Sequence, residues 1–462
     1  MLLAKYYYDK IIFIRWENKY MTIEEREQKK EKVKKPKRKK TKKHKRANNF
    51  VFWILRIALT PFMWFKWRIK FDYKTAKGLR RPCLIVCNHQ TSMDQFAVGM
   101  GFSFGINFVA SDTIFRHGFL SWLMRVIAKP IPFNKGTSDP LAIKSMMQVI
   151  EAKGCVGLFP EGNRSYAGET MEVQPGTGRL AKKLNVPVYV CNIQGGYLIK
   201  PRWKKTFNKG KCITKVVRVL SVEEMANLSG DDIQDIIQKE LYVNEFDFAM
   251  QHKKPYKGKA RTEFLEGLLF YCPKCKEVGG LMSKKHDLMC TKCGLVATVN
   301  QHIHFEYGGQ EINNNDQQIF GTPKNPFPTM SLSVVDAVLG VPQQLPSTIL
   351  DWSKLQEKFV EEFDVSSYID TPIFSDENAT FSKVEYAKKQ TEGTVGTLKI
   401  YNNRLNICDT DFYFDTLKAV TVTESRKLSF FTLDGTAYAV DVPRRTNVIK
   451  YKQFFEKIRG EK

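Results

Sequence analysis

Between residues 83 and 193 short, unbroken apolar runs alternate with stretches whose apolar residues recur at helical spacing. CLIVCN (83–88), INFVA (106–110), residues 130–133, GCVGLFP (154–160) and VPVYVCNI (186–193) predict strands buried on both faces. Residues 114–128, 139–152 and 177–184 predict helices between them. The second opens with Asp139 as N-cap and Pro140 in the first turn. This is the pattern of an α/β layer, a mostly parallel or mixed sheet flanked by helices. Such sheets carry their chemistry in loops at strand ends.

Beyond about residue 245 the pattern changes. Residues 306–330, rich in Asn, Gln, Gly and Pro, predict a linker. A helical pattern at 345–364 centres on Trp352, Leu355 and Phe359. Between 379 and 442 the runs GTLKIY, RLNICD, KAVTVTE, KLSFFTL and AYAVDV predict an antiparallel meander, closed by a helix at 445–458. On pattern this resembles a small barrel of pleckstrin-homology type.

The amino-terminal part differs again. Residues 1–28 predict one short helix with an aromatic face (Tyr6, Tyr7, Ile11, Ile14) and no cleaved signal peptide. Residues 29–46 hold thirteen Lys/Arg and one Glu, and such a run of like charge predicts disorder. Residues 50–67, FVFWILRIALTPFMWFKW, are apolar and rich in aromatics but interrupted by Arg56 and Pro61. A crossing needs about 20 apolar residues, so an interfacial or re-entrant helical segment is favoured over a clean span, with Trp53, Trp64 and Trp67 at headgroup level. The chain thus divides into 1–49, 50–67, 68–245, 246–305, 306–330 and 331–462.

Composition sharpens this reading. With 462 residues, 43% hydrophobic, the chain is too long for a single core and too apolar to be disordered throughout. The net charge of +25 favours anionic partners, and the basic run accounts for about half of it. Attachment to an anionic phospholipid surface is one reading of that run, nucleic-acid binding another, a solubilising tail a third. Cys83, Cys87, Cys155 and Cys191 lie in apolar runs, as buried core residues of a reducing compartment would.

Two strings carry the candidate chemistry. Asn88-His89-Gln90-Thr91-Ser92-Met93-Asp94 follows the first strand and offers a base and a carboxylate to orient it. On a regular helix His89 and Asp94 would point about 140° apart. They meet only if His89 lies in the loop and Asp94 in the first helical turn, with Thr91 or Ser92 as N-cap. The carboxylate then fixes the imidazole tautomer and makes His89 a general base for a hydroxyl. Phe159-Pro160-Glu161-Gly162-Asn163-Arg164-Ser165 offers a tight turn at Gly162 and, in Arg164, a guanidinium fork suited to phosphate. Glu161 is placed to orient Arg164 or to bind a substrate hydroxyl. Cys272-x-x-Cys275 and Cys290-x-x-Cys293, fourteen residues apart, predict a zinc ribbon. With all four positions filled by thiolates the zinc would be structural. His286 and His302 stand nearby as spare candidates.

Together the two strings resemble the glycerolipid acyltransferases, whose first and third motifs are N-H-x-x-x-x-D and F-P-E-G-T-R-S. Here they read NHQTSMD and FPEGNRS, with Asn163 where Thr is usual. AKPIPFNKG is loosely similar to the family's second motif, G-x-I-x-I-D-R, with Asn134-Lys135 in place of Asp-Arg. PGTGRLAKKLNVPVYVCNI is similar to a later segment. The likeness covers residues 50–240. It implies a glycerol-phosphate acyltransferase-like fold in a membrane-associated O-acyltransferase that makes phosphatidic acid from lysophosphatidic acid. Glycerol-3-phosphate and other lysophospholipids are alternative acceptors. It implies acyl-CoA or acyl–acyl carrier protein as donor, His89 and Asp94 as catalytic pair, and Glu161, Gly162, Arg164 and Lys135 as acceptor-binding residues. The basic run ahead of the apolar segment would set attachment at the cytoplasmic face, monotopic or peripheral, with a single crossing as the alternative. The rival of another class is a non-enzymatic nucleic-acid or scaffold protein built on the basic arm and zinc ribbon.

Overall fold

The computed structural model describes residues 43–111, 128–133, 139–308, 345–384, 393–423 and 425–460. The expected helices at 1–28 and, apart from its last residue, 114–128, most of the basic run, nearly all of the 306–330 linker, and Lys135 lie outside them.

Helix α1 (Asn49–Trp67) is continuous through Pro61 and is followed by β1 (Ile69–Phe71). Next come β2 (Cys83–Cys87), α2 (Asp94–Gly99), β3 (Asn107–Ser111), β4 (Ile131–Phe133), α3 (Pro140–Glu151), β5 (Cys155–Leu158) and α4 (Thr177–Leu184). The alternation continues through β6 (Val188–Gln194), α5 (Gly196–Ile199), β7 (Cys212–Leu220), α6 (Val222–Ala226), α7 (Gly230–Leu241) and α8 (Glu245–His252). The strands form one seven-stranded sheet in the order β1-β7-β6-β2-β5-β3-β4. Every neighbouring pair is parallel except β6 and β7, so the sheet is mixed. Asp139 caps α3 by accepting from the Leu141 and Ala142 amides.

The central strands are buried on both faces. Leu84, Val86, Val188 and Val190 face α3, α4 and α7. Cys83, Ile85, Cys87 and Cys191 face the other way, into a core that also takes in Phe102, Tyr197 and the carboxy-terminal part of the chain. On the first face Gly178 of α4 lies against the Gly230 carbonyl of α7, so close that a Cβ would stand 1.9 Å from that oxygen. The residues 44–46 that close the basic run are ordered here: His44 N donates to Gln148 Oε1 and Ala47 N to Asn107 Oδ1, which satisfies backbone that the charge run alone would leave to solvent.

Among the described residues α1 is the one helix long and apolar enough to cross a membrane. Only Met63 and Trp67 are buried in it, while Phe50, Trp53, Ile57 and Phe65 are exposed. Arg56, at mid-helix, is tied to the domain by a 2.9 Å bond to the Met100 carbonyl and by its stacking over Tyr73.

A four-stranded antiparallel sheet follows: β8 (Leu281–Lys284), β9 (Asp287–Cys290), β10 (Val296–Val299) and β11 (Phe305–Tyr307). Helix α9 (Ile349–Glu362) opens with a capping box at Thr348 and Asp351 and buries Trp352 completely, its indole N–H donating to the Tyr271 carbonyl. The last unit comprises β12 (Phe374–Val384), β13 (Thr394–Ile400), β14 (Arg404–Ile407), β15 (Thr410–Tyr413), β16 (Leu417–Thr423), β17 (Lys427–Thr432), β18 (Ala437–Asp441) and α10 (Ile449–Arg459). Its order, β15-β14-β13-β12-β18-β17-β16, departs from a plain meander because the first strand pairs with the last and leaves β15 and β16 at the edges. The apolar core under β2 and β6 runs without a break into this unit.

Candidate active site

Strands β2 and β5 are parallel neighbours in register, Cys83 opposite Cys155 and Val86 opposite Leu158. Carrying that register three residues past its last pair sets His89 opposite Glu161. The contact is made there: the His89 amide donates to Glu161 Oε1 at 2.5 Å, and the His89 carbonyl accepts from the Ser165 amide at 2.8 Å. The two strings are therefore zipped together by backbone. On the other flank Asn88, fully buried, accepts from the Ile193 amide of β6 at 2.7 Å and donates to its carbonyl at 2.9 Å.

Asp94 is 1% exposed and lies at the start of α2. Its Oδ2 accepts from His89 Nδ1 at 2.8 Å and from the amides of Gln90 and Thr91, and its Oδ1 accepts from the Thr91 hydroxyl at 2.8 Å. A carboxylate only accepts, so Nδ1 carries the proton and Nε2 is left as the basic nitrogen. Thr91 and Ser92 are not the N-cap. That position falls to Met93, without a side-chain cap, and the Thr91 hydroxyl accepts from the Met93 amide while donating to Asp94. The hydroxyl is held by the carboxylate, so the helix starts later. The His89 side chain is 22% exposed, and its ring stacks on Phe159 at 4.5 Å. Phe159 stacks in turn on Phe108 at 5.7 Å.

In the second string Gly162 has φ +71°, which a side chain would strain, and its amide closes a turn onto the Phe159 carbonyl. Glu161 is 2% exposed, and its second oxygen accepts from the Met171 amide at 2.8 Å. Both carboxylate oxygens thus serve backbone N–H groups, which makes Glu161 a brace between loops. Burial pushes its carboxyl up to about 8, against the pull of those two donors. Glu245, at the start of α8 and fully buried, is raised well above the ordinary carboxylate range by burial, with the charge of Asp94 adding to it. Arg164 is half-buried on the same loop.

Two further cations adjoin Arg164, and the sequence reading missed both. Lys200 is pushed down to about 8, chiefly by burial and further by the charge of Arg164. Arg202 is only 8% exposed and donates to the Arg164 carbonyl at 3.2 Å. The signal was the run Lys200-Pro-Arg-Trp-Lys-Lys a few residues after a buried strand and its Gly-Gly pair.

Cys272, Cys275, Cys290 and Cys293 bring their sulfurs within 4.8 Å of one another, Cys272 and Cys293 at 3.7 Å, Cys275 and Cys290 at 3.8 Å. A tetrahedral ion with bonds of about 2.3 Å needs sulfurs roughly 3.8 Å apart. The knuckles match in backbone: Lys276 N donates to the Cys272 carbonyl and Gly294 N to that of Cys290, both at positive φ. The donor set fits a metal. His286 and His302 are not in the cluster; His286 Nδ1 instead accepts from the Arg261 amide.

Residues 68–194 match the Acyltransferase family. A yeast (Saccharomyces cerevisiae) 1-acyl-sn-glycerol-3-phosphate acyltransferase is 26% identical over 165 residues, 35% of this chain and 53% of that protein. The Bacillus subtilis 1-acyl-sn-glycerol-3-phosphate acyltransferase is 24% identical over 147 residues, 31% of this chain and 70% of that one. The matched stretch thus spans about half the length of the yeast relative. The crystal structure of the LPA acyltransferase PlsC from Thermotoga maritima aligns at TM-score 0.34 and 17% identity, over 45% of this chain and 96% of that one.

Proposed function

Taking residues 68–194 as an acyltransferase-family domain, we propose that this protein moves a fatty acyl group from a thioester to the free hydroxyl of lysophosphatidic acid, giving phosphatidic acid. The observation that supports this reading most is the pairing of His89 with an Asp94 whose two oxygens are saturated by four donors, beside a loop that carries Arg164. Nε2 of His89 takes the proton of the acceptor hydroxyl as its oxygen attacks the thioester carbonyl. The tetrahedral intermediate collapses, the carbon–sulfur bond breaks, and the leaving thiolate takes the proton back from the imidazolium. Asp94 stabilises that imidazolium and holds the ring. Arg164 offers two parallel N–H donors to the acceptor phosphate, a task shared with Lys135. The donor is acyl-CoA or acyl–acyl carrier protein.

The exposed aromatic face of α1 suits the headgroup region of a bilayer. Arg56, bound to the body of the domain at mid-helix, favours a helix lying in the interface. The basic run that precedes it would meet anionic lipid at the cytoplasmic face. Cys272, Cys275, Cys290 and Cys293 would hold a structural zinc, which supplies cross-linking and takes no part in acyl transfer.

The test is acyl transfer on liposomes that contain lysophosphatidic acid. Long-chain acyl-CoA and acyl–acyl carrier protein are offered separately, with wild type and His89→Ala side by side. Phosphatidic acid from wild type alone supports the reading. Glycerol-3-phosphate or another lysophospholipid as the better acceptor would move the assignment within the class. Silence with every acceptor in folded protein would overturn it.

A further inference from the structure

The acceptor loop is held from a second side by a distant part of the chain. Strand β16 forms one edge of the carboxy-terminal sheet, with β17 as its partner there. Asn163, in the turn between Gly162 and Arg164, donates from Nδ2 to the Thr421 hydroxyl of β16 at 3.1 Å. The next residue on that strand, Val422, presents its carbonyl to Arg202 Nη2 at 2.7 Å, while Nη1 of the same guanidinium reaches the Arg164 carbonyl. One buried, planar fork thus ties the acceptor loop to the edge of β16. Its face lies 4.2 Å over the Tyr166 ring, and Lys452 of α10 approaches the same ring. A narrow cavity lined by Tyr166, Arg202, Trp203, Leu268, Val422 and Ile449 marks this junction.

These contacts pair side chains with little freedom. A buried guanidinium is tolerated only where its N–H groups find acceptors, and a lysine could not serve both carbonyls in the same plane. Asn163 stands where the resembling motif has Thr, and its longer amide is what spans the gap to Thr421. We infer that β16 is a built-in part of the acceptor site, with Thr421 and Arg202 as positioning residues that fix the loop carrying Arg164 and so set its affinity for the phosphate-bearing acceptor. The inference rests on the reading of Arg164 as the acceptor's phosphate ligand.

The experiment uses the full chain on liposomes, with KM for lysophosphatidic acid, KM for the acyl donor and kcat measured separately. Thr421→Val keeps the shape of a β-branched residue and removes only the acceptor oxygen. It should raise the acceptor KM roughly threefold to tenfold, the scale of one hydrogen bond, and leave the donor KM and kcat within about twofold. Asn163→Ala should do the same, and the double variant should be no worse than either alone, since both break one contact. Arg202→Lys should give a larger rise in acceptor KM. An acceptor KM unmoved by Thr421→Val, or additive losses in the double variant, would overturn the inference while leaving the acyl-transfer reading intact. A wild type inactive toward every phosphate-bearing acceptor would remove both.

Discussion

The turn at 88–94 and the loop at 159–168 leave adjacent strands side by side, yet their key side chains are held differently. The carboxylate that orients His89 is tied locally: Asp94 draws its donors from residues three to five positions away. The loop carrying Arg164 adds distant supports to its local bonds, from Arg202 and from Thr421, the latter 258 positions distant. A locally tied element keeps its geometry when remote parts of the protein move. A remotely tied one inherits every disturbance of its supports. Here the His89–Asp94 pair has the first kind of hold and the loop carrying Arg164 the second.

Asp94→Asn should break the local side most severely. An amide nitrogen placed among backbone donors disrupts the turn and frees the imidazole tautomer. Turnover should fall on the order of 10⁴-fold, the loss known for the analogous change in a serine-protease triad, with acceptor KM little changed. A steady-state assay decides, and a drop below tenfold would mean that remote contacts orient the ring. Arg164→Ala tests the other side. Loss of a charged hydrogen-bonding partner should raise the acceptor KM by roughly 10- to 100-fold, while acceptors without phosphate lose little. An equal loss with both kinds of acceptor would take the phosphate away from Arg164.

Metal removal sharpens the comparison, because Trp352 and Gln356 of α9 dock on residues 270–271 beside the first knuckle. Chelation or Cys290→Ser should expose residues 265–300 to hydrogen exchange first and then loosen β16, with the Asp94 turn the last to respond. Uniform protection after chelation would argue against a structural ion. The smallest effect concerns Glu245. Its folded-state carboxyl lies above the ordinary value of 4.5, so over the range between the two the folded chain holds a proton that the unfolded chain releases. Its contribution to stability is therefore complete below pH 4.5 and is lost as pH rises. Glu245→Gln should flatten that decline, which denaturant midpoints at pH 5 and pH 8 would report; parallel shifts at both would show the charge is not the cause.

What the sequence disclosed follows from these two kinds of hold. Strands β2, β5 and β6 are legible because both faces are buried and the apolar runs are unbroken. Helix α4 is legible by its spacing, and the two motifs by their own short span. β12 was not, because its segment FSDENATFSKV interrupts the apolar rhythm with Asp376, Glu377 and Asn378 at a bulge. β7 escaped for a related reason: Lys215 and Arg218 interrupt its apolar run, and its alternation breaks down at Arg218 and Val219, both exposed. No periodicity could pair Asn163 with Thr421 or assign Arg202 to the acceptor loop. Those contacts depend on which sheet edge meets which loop. The same limit hid the backbone bonds of Glu161, which the motif suggested would orient Arg164 or bind a substrate hydroxyl.

The distance along the chain between Asn163 and Thr421 also sets an order of events in the cell. A ribosome adding about 5–20 residues per second takes roughly ten to fifty seconds to travel from one to the other. Through that interval the nascent chain already holds His89 and Asp94 but not the strand that contacts Asn163. A message truncated before residue 421 would therefore yield a chain with His89 and Asp94 in place and the loop around Asn163 without its contact to β16.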